Sequence, residues 1–402
     1  MTSTRVGGEM QAVPAGFWPV PVNHGDEYAL LLQTKTTAIK AAYKSCAVSL
    51  SIGTTSTPLG CVLATVLTVA EDPQDPDQVL VVHIDAEEHS ALESVLRLGK
   101  TTLFFFDELS RPIARADCAF DEPARTRVLA LLDRCGTRYT GEWNDTCADV
   151  RDDLAAKYDP TMNASGKFTF TIEDVPLALN NFETIEIVAL GDQESRSVRL
   201  EEQDEGYVLE QGAWHLMVDL FGAGIFHSPQ VTENGIKREL SDILSFCEAG
   251  SCVVQAKAIA VLTTNPLRTT ERRARNIRKQ VDIGLSQVLG AIKNLEAGLP
   301  LTSKDGAAFT IPKNTAWLRH GIIVVSDLHH GVDWKEVATR LLEESTRMQV
   351  MIHVLDLHEL RKLVAASETP IQFIARLIRR FQMMKARQTA LLRIEFREPA
   401  VA

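Results

Sequence analysis

Residues 239–257 read Glu-Leu-Ser-Asp-Ile-Leu-Ser-Phe-Cys-Glu-Ala-Gly-Ser-Cys-Val-Val-Gln-Ala-Lys. Two short apolar runs flank Glu248-Ala-Gly-Ser, which is the pattern of a β-hairpin. Its polar residues are placed at the ends. Asp242 opens the first run, Gln255 and Lys257 close the second, and Glu239 stands three residues before Asp242. In an antiparallel pair, side-chain alternation sends Gln255 and Lys257 to one face, where Asp242 meets them near the strand ends, while Ala256 points to the core.

On either side of the hairpin the periodicity is helical. Residues 207–220 place Leu209, Ala213, Leu216, Met217 and Leu220 on one face, with Glu210 on the same helix, and Gly222-Ala-Gly224 stops it. Residues 270–296 repeat Ile277, Val281, Leu285, Val288, Ile292 and Leu295 at spacings of three and four. Further on, residues 321–326, 334–346, 349–354 and 358–366 read as strand, helix, strand and helix. The order predicts an α/β fold for residues 207–402, a mixed central sheet flanked by helices.

Upstream, 79–84 and 102–106 read as buried strands around a helix at 87–98, with a second helix at 125–132. Residues 167–172 and 184–189 alternate with period two. The first forty residues are rich in Gly, Pro and Thr and read as loose at the tip, becoming weakly helical at 36–45. These features predict a separate α/β or α+β domain over residues 1–195, followed by a charged linker at 196–206.

The 402 residues are 45% hydrophobic, enough for two cores. No apolar run is long enough to span a bilayer and the first residues lack a signal-peptide core, so no membrane is expected and the cytoplasm is the expected compartment. The seven cysteines, at 46, 61, 118, 135, 147, 247 and 252, show no Cys-x-x-Cys pair, so reduced thiols are expected and no zinc site is indicated. The net charge of -11 is unevenly spread: residues 1–230 carry 17 Lys+Arg against 35 Asp+Glu, and residues 231–402 carry 25 against 18. A basic C-terminal half suits a polyanion, whereas the acidic half suits a protein partner or self-association.

Hydrolysis of a phosphodiester requires a hard cation, an oriented water and a positive group near that water. Asp242, Gln255 and Glu239 offer oxygen ligands to Mg²⁺ or Mn²⁺, Glu210 offers a further acid, and Lys257 supplies the positive group. This segment resembles the restriction-endonuclease-like superfamily, the PD-(D/E)XK phosphodiesterases, in which a helical acid precedes an Asp at one strand start and an acid-x-Lys on the next strand. Asp242 and Lys257 match that pattern, whereas Gln255 replaces the usual acid with a neutral amide, as in a Gln-x-Lys subset. The resemblance covers residues 205–395 and implies a metal-dependent nuclease, with DNA as the substrate and with restriction, repair or antiviral defence as settings. A non-catalytic scaffold that grips nucleic acid or a protein partner is the alternative.

Arg268, Arg272, Arg273, Arg275, Arg278 and Lys279 form the densest basic run, opposed by Glu271 alone. As the start of the 270–296 helix they are expected to contact phosphates. Arg376, Arg379, Arg380, Lys385 and Arg387 read instead as the solvated face of a C-terminal helix. No phosphate-binding Gly-rich loop and no Gly-x-Ser-x-Gly elbow is present.

Overall fold

The computed structural model describes residues 4–23, 27–44, 47–70, 76–159, 162, 164–190, 195–259, 261, 269–311 and 318–393. The chain divides into two compact units, the first running to Ile187 and including Ser197–Glu201, the second holding Val188–Arg196 and nearly all of the chain from Glu202.

The first unit runs α1 (Thr4–Ala12), β1 (Gly16–Val22), β2 (Glu27–Gln33), α2 (Thr36–Tyr43), β3 (Ala47–Thr57), β4 (Gly60–Ala70), β5 (Asp77–His83), α3 (Ala86–Leu98), β6 (Lys100–Phe106), β7 (Pro112–Phe120), α4 (Glu122–Arg134), α5 (Asp145–Tyr158) and β8 (Thr171–Thr184). Its strands form one eight-stranded sheet in the order β1-β2-β6-β7-β8-β3-β4-β5. Only the β2–β6 pairing is parallel. α3 and α4 form where the sequence supplies caps: Asp85 accepts from the Glu87 and Glu88 amides, Asp121 from that of Ala124, and Gly99 closes α3 at φ 73°.

Two sequence expectations change here. The strand expected at 167–172 starts at Thr171 and runs on to Thr184 as one long strand, β8, between β3 and β7, so ladder hydrogen bonds override the weak local pattern around Asp174 and Asn180, while the strand expected at 184–189 forms at Ile187–Leu190. The N-terminal residues contribute α1, β1 and β2, with Phe17, Leu30 and Leu32 fully buried. Pro19 and Pro21 hide β1 from a sequence reading. The strand tolerates both because it lies at the sheet edge, where only one side of the backbone must pair. A short two-stranded sheet, β9 (Ile187–Leu190) with β10 (Ser195–Val198), follows in the chain.

The cysteine expectation is also corrected. Cys61 and Cys135 form a disulfide with Cα atoms 5.8 Å apart. They are 74 residues apart in sequence, so spacing alone carried no sign of the pairing. Cys118, Cys147, Cys247 and Cys252 are free thiols.

The second unit runs α6 (Glu205–Phe221), β11 (Ile225–His227), β12 (Gln230–Glu233), β13 (Ile236–Glu239), β14 (Ile243–Cys247), β15 (Gly250–Lys257), α7 (Thr270–Glu296), β16 (Leu301–Thr302), β17 (Ala308–Phe309), β18 (Leu318–Val325), α8 (Trp334–Met348), β19 (Met351–Leu355), α9 (Leu357–Ala365) and α10 (Pro370–Arg387). Its central sheet has the order β11-β14-β15-β18-β19. It is mixed: β11, β14 and β15 are antiparallel, whereas β18 and β19 run parallel to β15. The hairpin turns at Glu248-Ala249, in the register Ile243↔Val254. α7 buries Ile277, Val281, Leu285, Val288 and Ile292 in a core shared with Leu244, Val253, Ile323 and Val325. A second sheet, β13-β12-β16-β17, carries the chain between His227 and Asp242. Among the described residues no helix is long and apolar enough to cross a membrane.

Candidate functional site

The hairpin brings the end of β15 back to the start of β14. One step beyond the Ile243↔Val254 pair, Asp242 faces Gln255, and its Oδ2 accepts a 2.6 Å hydrogen bond from the Ala256 amide. Lys257 Nζ lies 3.5 Å from the same oxygen, and both side chains are mostly buried. Gln255 shares the Lys257 face by alternation and is only 3% exposed. Under that face α7 passes at Gly284, where an added Cβ would sit 3.3 Å from Lys257 Cγ.

β11 pairs with β14 in the register His227↔Ile243, and the Ser228 amide donates to the Asp242 carbonyl at 2.7 Å. His227 and Ser228 therefore stand beside Asp242. From α6, Glu210 forms an ion pair with His227 Nε2 and accepts a 3.3 Å hydrogen bond from the Ser228 hydroxyl. Gln211 Nε2 lies 3.2 Å from the same imidazole nitrogen. Ser228 holds φ at 45°, unusual for a residue with a side chain, and this twist turns its amide toward Asp242.

Glu239 ends β13 and is exposed, yet it shares the electrostatic field of this group. Its pKa is raised by lost hydration and then by the Asp242 and Glu210 charges, with His227 and Lys257 offsetting part of the effect. Asp242 is raised too, chiefly by burial, against the opposing pull of Lys257 and the Ala256 amide. The structure thus gathers Glu210, Glu239, Asp242, Gln255 and Lys257 at one end of the hairpin. His227 and Ser228 were not assigned a role from sequence, although they lie in the Phe226-His-Ser-Pro229 lead-in. Their signal was position alone: His227 ends the short strand that pairs with β14, and Ser228 follows it directly.

As placed, two of the three acids are engaged within the protein, Asp242 by Lys257 and Glu210 by His227. Among the described residues no three His, Cys, Asp or Glu side chains converge as a ready-made metal site. The donors are nonetheless all oxygens, three carboxylates and an amide, the set that suits Mg²⁺ or Mn²⁺. Burial first, and neighbouring carboxylate charge second, raise the pKa values of Glu239 and Asp242, a negative field that a cation would relieve.

No protein-family model, curated protein or solved structure matches this chain. Function therefore has to be argued from the site itself.

The basic run divides by direction. Arg273 is buried, with Nη2 3.1 Å from Asp327 Oδ2, and does not face a ligand at the surface. Arg278 pairs with Asp282 at 3.3 Å and Glu336 at 2.9 Å. Arg272, Arg275 and Lys279 are exposed, and Arg275, nine residues before Gly284, lies about half a turn from it, on the side away from the sheet. Arg268 lies outside the described residues. In the second basic run Arg380 is fully buried and donates to the Val354 carbonyl at 2.9 Å, so that run is not a uniformly solvated face. Beyond the start of α7, His329 and His330 stack on each other with centroids 4.5 Å apart.

Proposed function

We propose that the second unit is a metal-dependent phosphodiesterase that cleaves nucleic acid, DNA by family resemblance, on a restriction-endonuclease-like fold. The single observation that carries the reading is the meeting of Asp242 and Lys257 across the β14–β15 hairpin, within reach of the Glu210 and Glu239 charges.

Asp242 and Gln255 would hold Mg²⁺ or Mn²⁺, with Glu239 or Glu210 as the additional acid that a neutral Gln255 requires. The bound ion would neutralise charge on the phosphate and lower the pKa of an attacking water. Lys257 contributes a cation at the strand end, where it orients that water and stabilises the more highly charged transition state. Burial of its stem keeps this charge in a poorly solvated setting, where it acts more strongly. His227 holds Glu210 at a fixed angle to the site. The acidic first unit fits a protein-partner or self-association role by charge alone.

One observation favours a second reading, a non-catalytic nucleic-acid grip: Asp242 and Glu210 are already paired inside the protein. Incubation of the full chain with plasmid and with single-stranded RNA, in Mg²⁺, Mn²⁺ or EDTA, separates the two. The phosphodiesterase reading expects metal-dependent cleavage that Asp242→Ala and Lys257→Ala each reduce by at least ~10²-fold. Salt-dependent binding with no cleavage in any metal, or cleavage that survives both substitutions, rejects it.

A further inference from the structure

A second chemical site lies in the first unit. The connection from α4 to α5 leaves Cys135 and is laid against the start of β4 by paired backbone bonds. The Cys61 amide donates to the Thr137 carbonyl at 3.0 Å, and the Tyr139 amide to the Cys61 carbonyl at 2.8 Å. Gly60, at φ 120°, allows the approach, since an added Cβ would sit 3.0 Å from the Thr137 oxygen. Arg138 reaches Glu93 on α3 at 2.9 Å, and Asn144 caps α5 by accepting from the Cys147 amide at 3.1 Å. Beyond that cap, Val150 and Leu154 of α5 cover Val62, Ala64 and Val66 of β4 and Val82 of β5, a core cluster distinct from the main one. The connection therefore controls how firmly α5 covers the β4–β5 face.

We propose that Cys61 and Cys135 form a reversible redox site that locks this connection, and α5 with it, onto β4. Their Cα separation of 5.8 Å lies within the usual disulfide range of about 4.4–6.8 Å, so the backbone accommodates the bond. Proximity selects the pair, and exposure separates it from three of the four free thiols. Cys135 is half-buried and Cys61 is 7% exposed, whereas Cys118, Cys147 and Cys252 lie at 1% or less. Burial also pushes the Cys118 thiol up to about 12, which suppresses its thiolate.

The co-reactant class is a low-molecular-weight disulfide, for which oxidised glutathione serves as the probe. The Cys135 thiolate attacks one glutathione sulfur, forming a mixed disulfide and expelling a glutathione thiolate. The Cys61 thiolate then attacks the Cys135 sulfur, closing the intramolecular bond and expelling the second glutathione thiolate. Two electrons pass from the protein to the glutathione couple, and the two cysteine protons pass to the expelled thiolates or to solvent.

The full chain is equilibrated at several reduced-to-oxidised glutathione ratios, then quenched with acid and alkylated. Peptide mapping should show the Cys61–Cys135 cross-link rising and falling with the ratio. Limited trypsin digestion of the native protein should cut at Arg138 at least ~10-fold faster after reduction, because the connection then opens without opening the sheet. Cys135→Ser should cut at the fast rate in every buffer, and Cys247→Ser should keep the wild-type response. Failure of the cross-link to form at any ratio, or identical cutting at Arg138 in the oxidised and reduced wild-type protein, would overturn the proposal. Because the wild-type comparison needs no substitution, the test holds even if Cys135→Ser does not fold.

Discussion

Arg273 and Arg275 stand two positions apart on α7 and do opposite work. Successive residues turn by about 100°, so the pair points roughly 200° apart. Arg273 meets the buried Asp327, whereas Arg275 and Lys279 meet solvent. Removing Arg273 breaks the buried ion pair with Asp327, and breaking such a pair costs about 3–5 kcal/mol. Arg273→Ala is therefore expected to shift the urea midpoint strongly downward. Arg275→Ala and Lys279→Ala should leave that midpoint nearly unchanged and flatten the log-affinity against log-salt plot for nucleic acid by about one unit of slope each. Equal stability losses for all three variants would refute this division. The charge density of the run was legible in the sequence; the direction of each side chain was not, because it depends on which face of α7 meets the sheet.

At the scale of the element, α7 is as much a platform as a cover. Gly284 lets it approach the sheet: an added Cβ would sit 2.7 Å from Ile323 Cγ2 and 3.3 Å from Lys257 Cγ. Gly290, six residues on, has nothing within 4 Å of the same position. Alanine gains about 1 kcal/mol of helix propensity over glycine at either site, but overpacking costs about 1–3 kcal/mol. Gly290→Ala should raise thermal stability slightly. Gly284→Ala should lower it and, by displacing the Lys257 stem, reduce nucleic-acid cleavage far more than nucleic-acid binding. Calorimetry together with cleavage and anisotropy measurements tests both. If Gly284→Ala cleaves normally, Lys257 is not held through α7.

The hairpin and α7 were legible because each carries its own period, two and near 3.6, over a sustained run. β1 and β3 were not. The first is interrupted by Pro19 and Pro21, and the second runs through Ser49, Ser51, Thr54 and Thr55, whose hydroxyls read as loop until a neighbouring strand is known. For the site, strand pairing within the hairpin placed Asp242, Gln255 and Lys257 together from sequence. His227 and Ser228 escaped notice because their approach to Asp242 depends on β11 returning to pair with β14.

Across the whole molecule, the two units carry buried titratable groups of opposite sign. In the second unit His320 Nδ1 lies 3.1 Å from His353 Nε2 across β18 and β19. Burial lowers His320 from 6.5 to about 4 and His353 well below 6.5, the latter also through the His320 and Arg380 charges. The unfolded chain binds these protons more readily, so stability falls as pH drops below the unfolded value of about 6.5, by up to ~3 kcal/mol for His320 alone. In the first unit Glu108 accepts from the Thr36 amide and hydroxyl at 2.8 Å each, and burial with the Asp107 charge pushes it up to about 7. Here the folded state binds the proton more tightly. Its contribution is complete below 4.5 and is lost as pH rises through about 7. Acidification from about pH 7 to about pH 5 is therefore expected to weaken the second unit while strengthening the first. Hydrogen exchange, corrected for intrinsic rates, should show amides of β18 and β19 losing protection as those of α2 gain it. Lost protection in α2 would mean that Glu108 does not set the first unit's acid response, and unchanged protection in β18 and β19 would mean the same of the histidine pair.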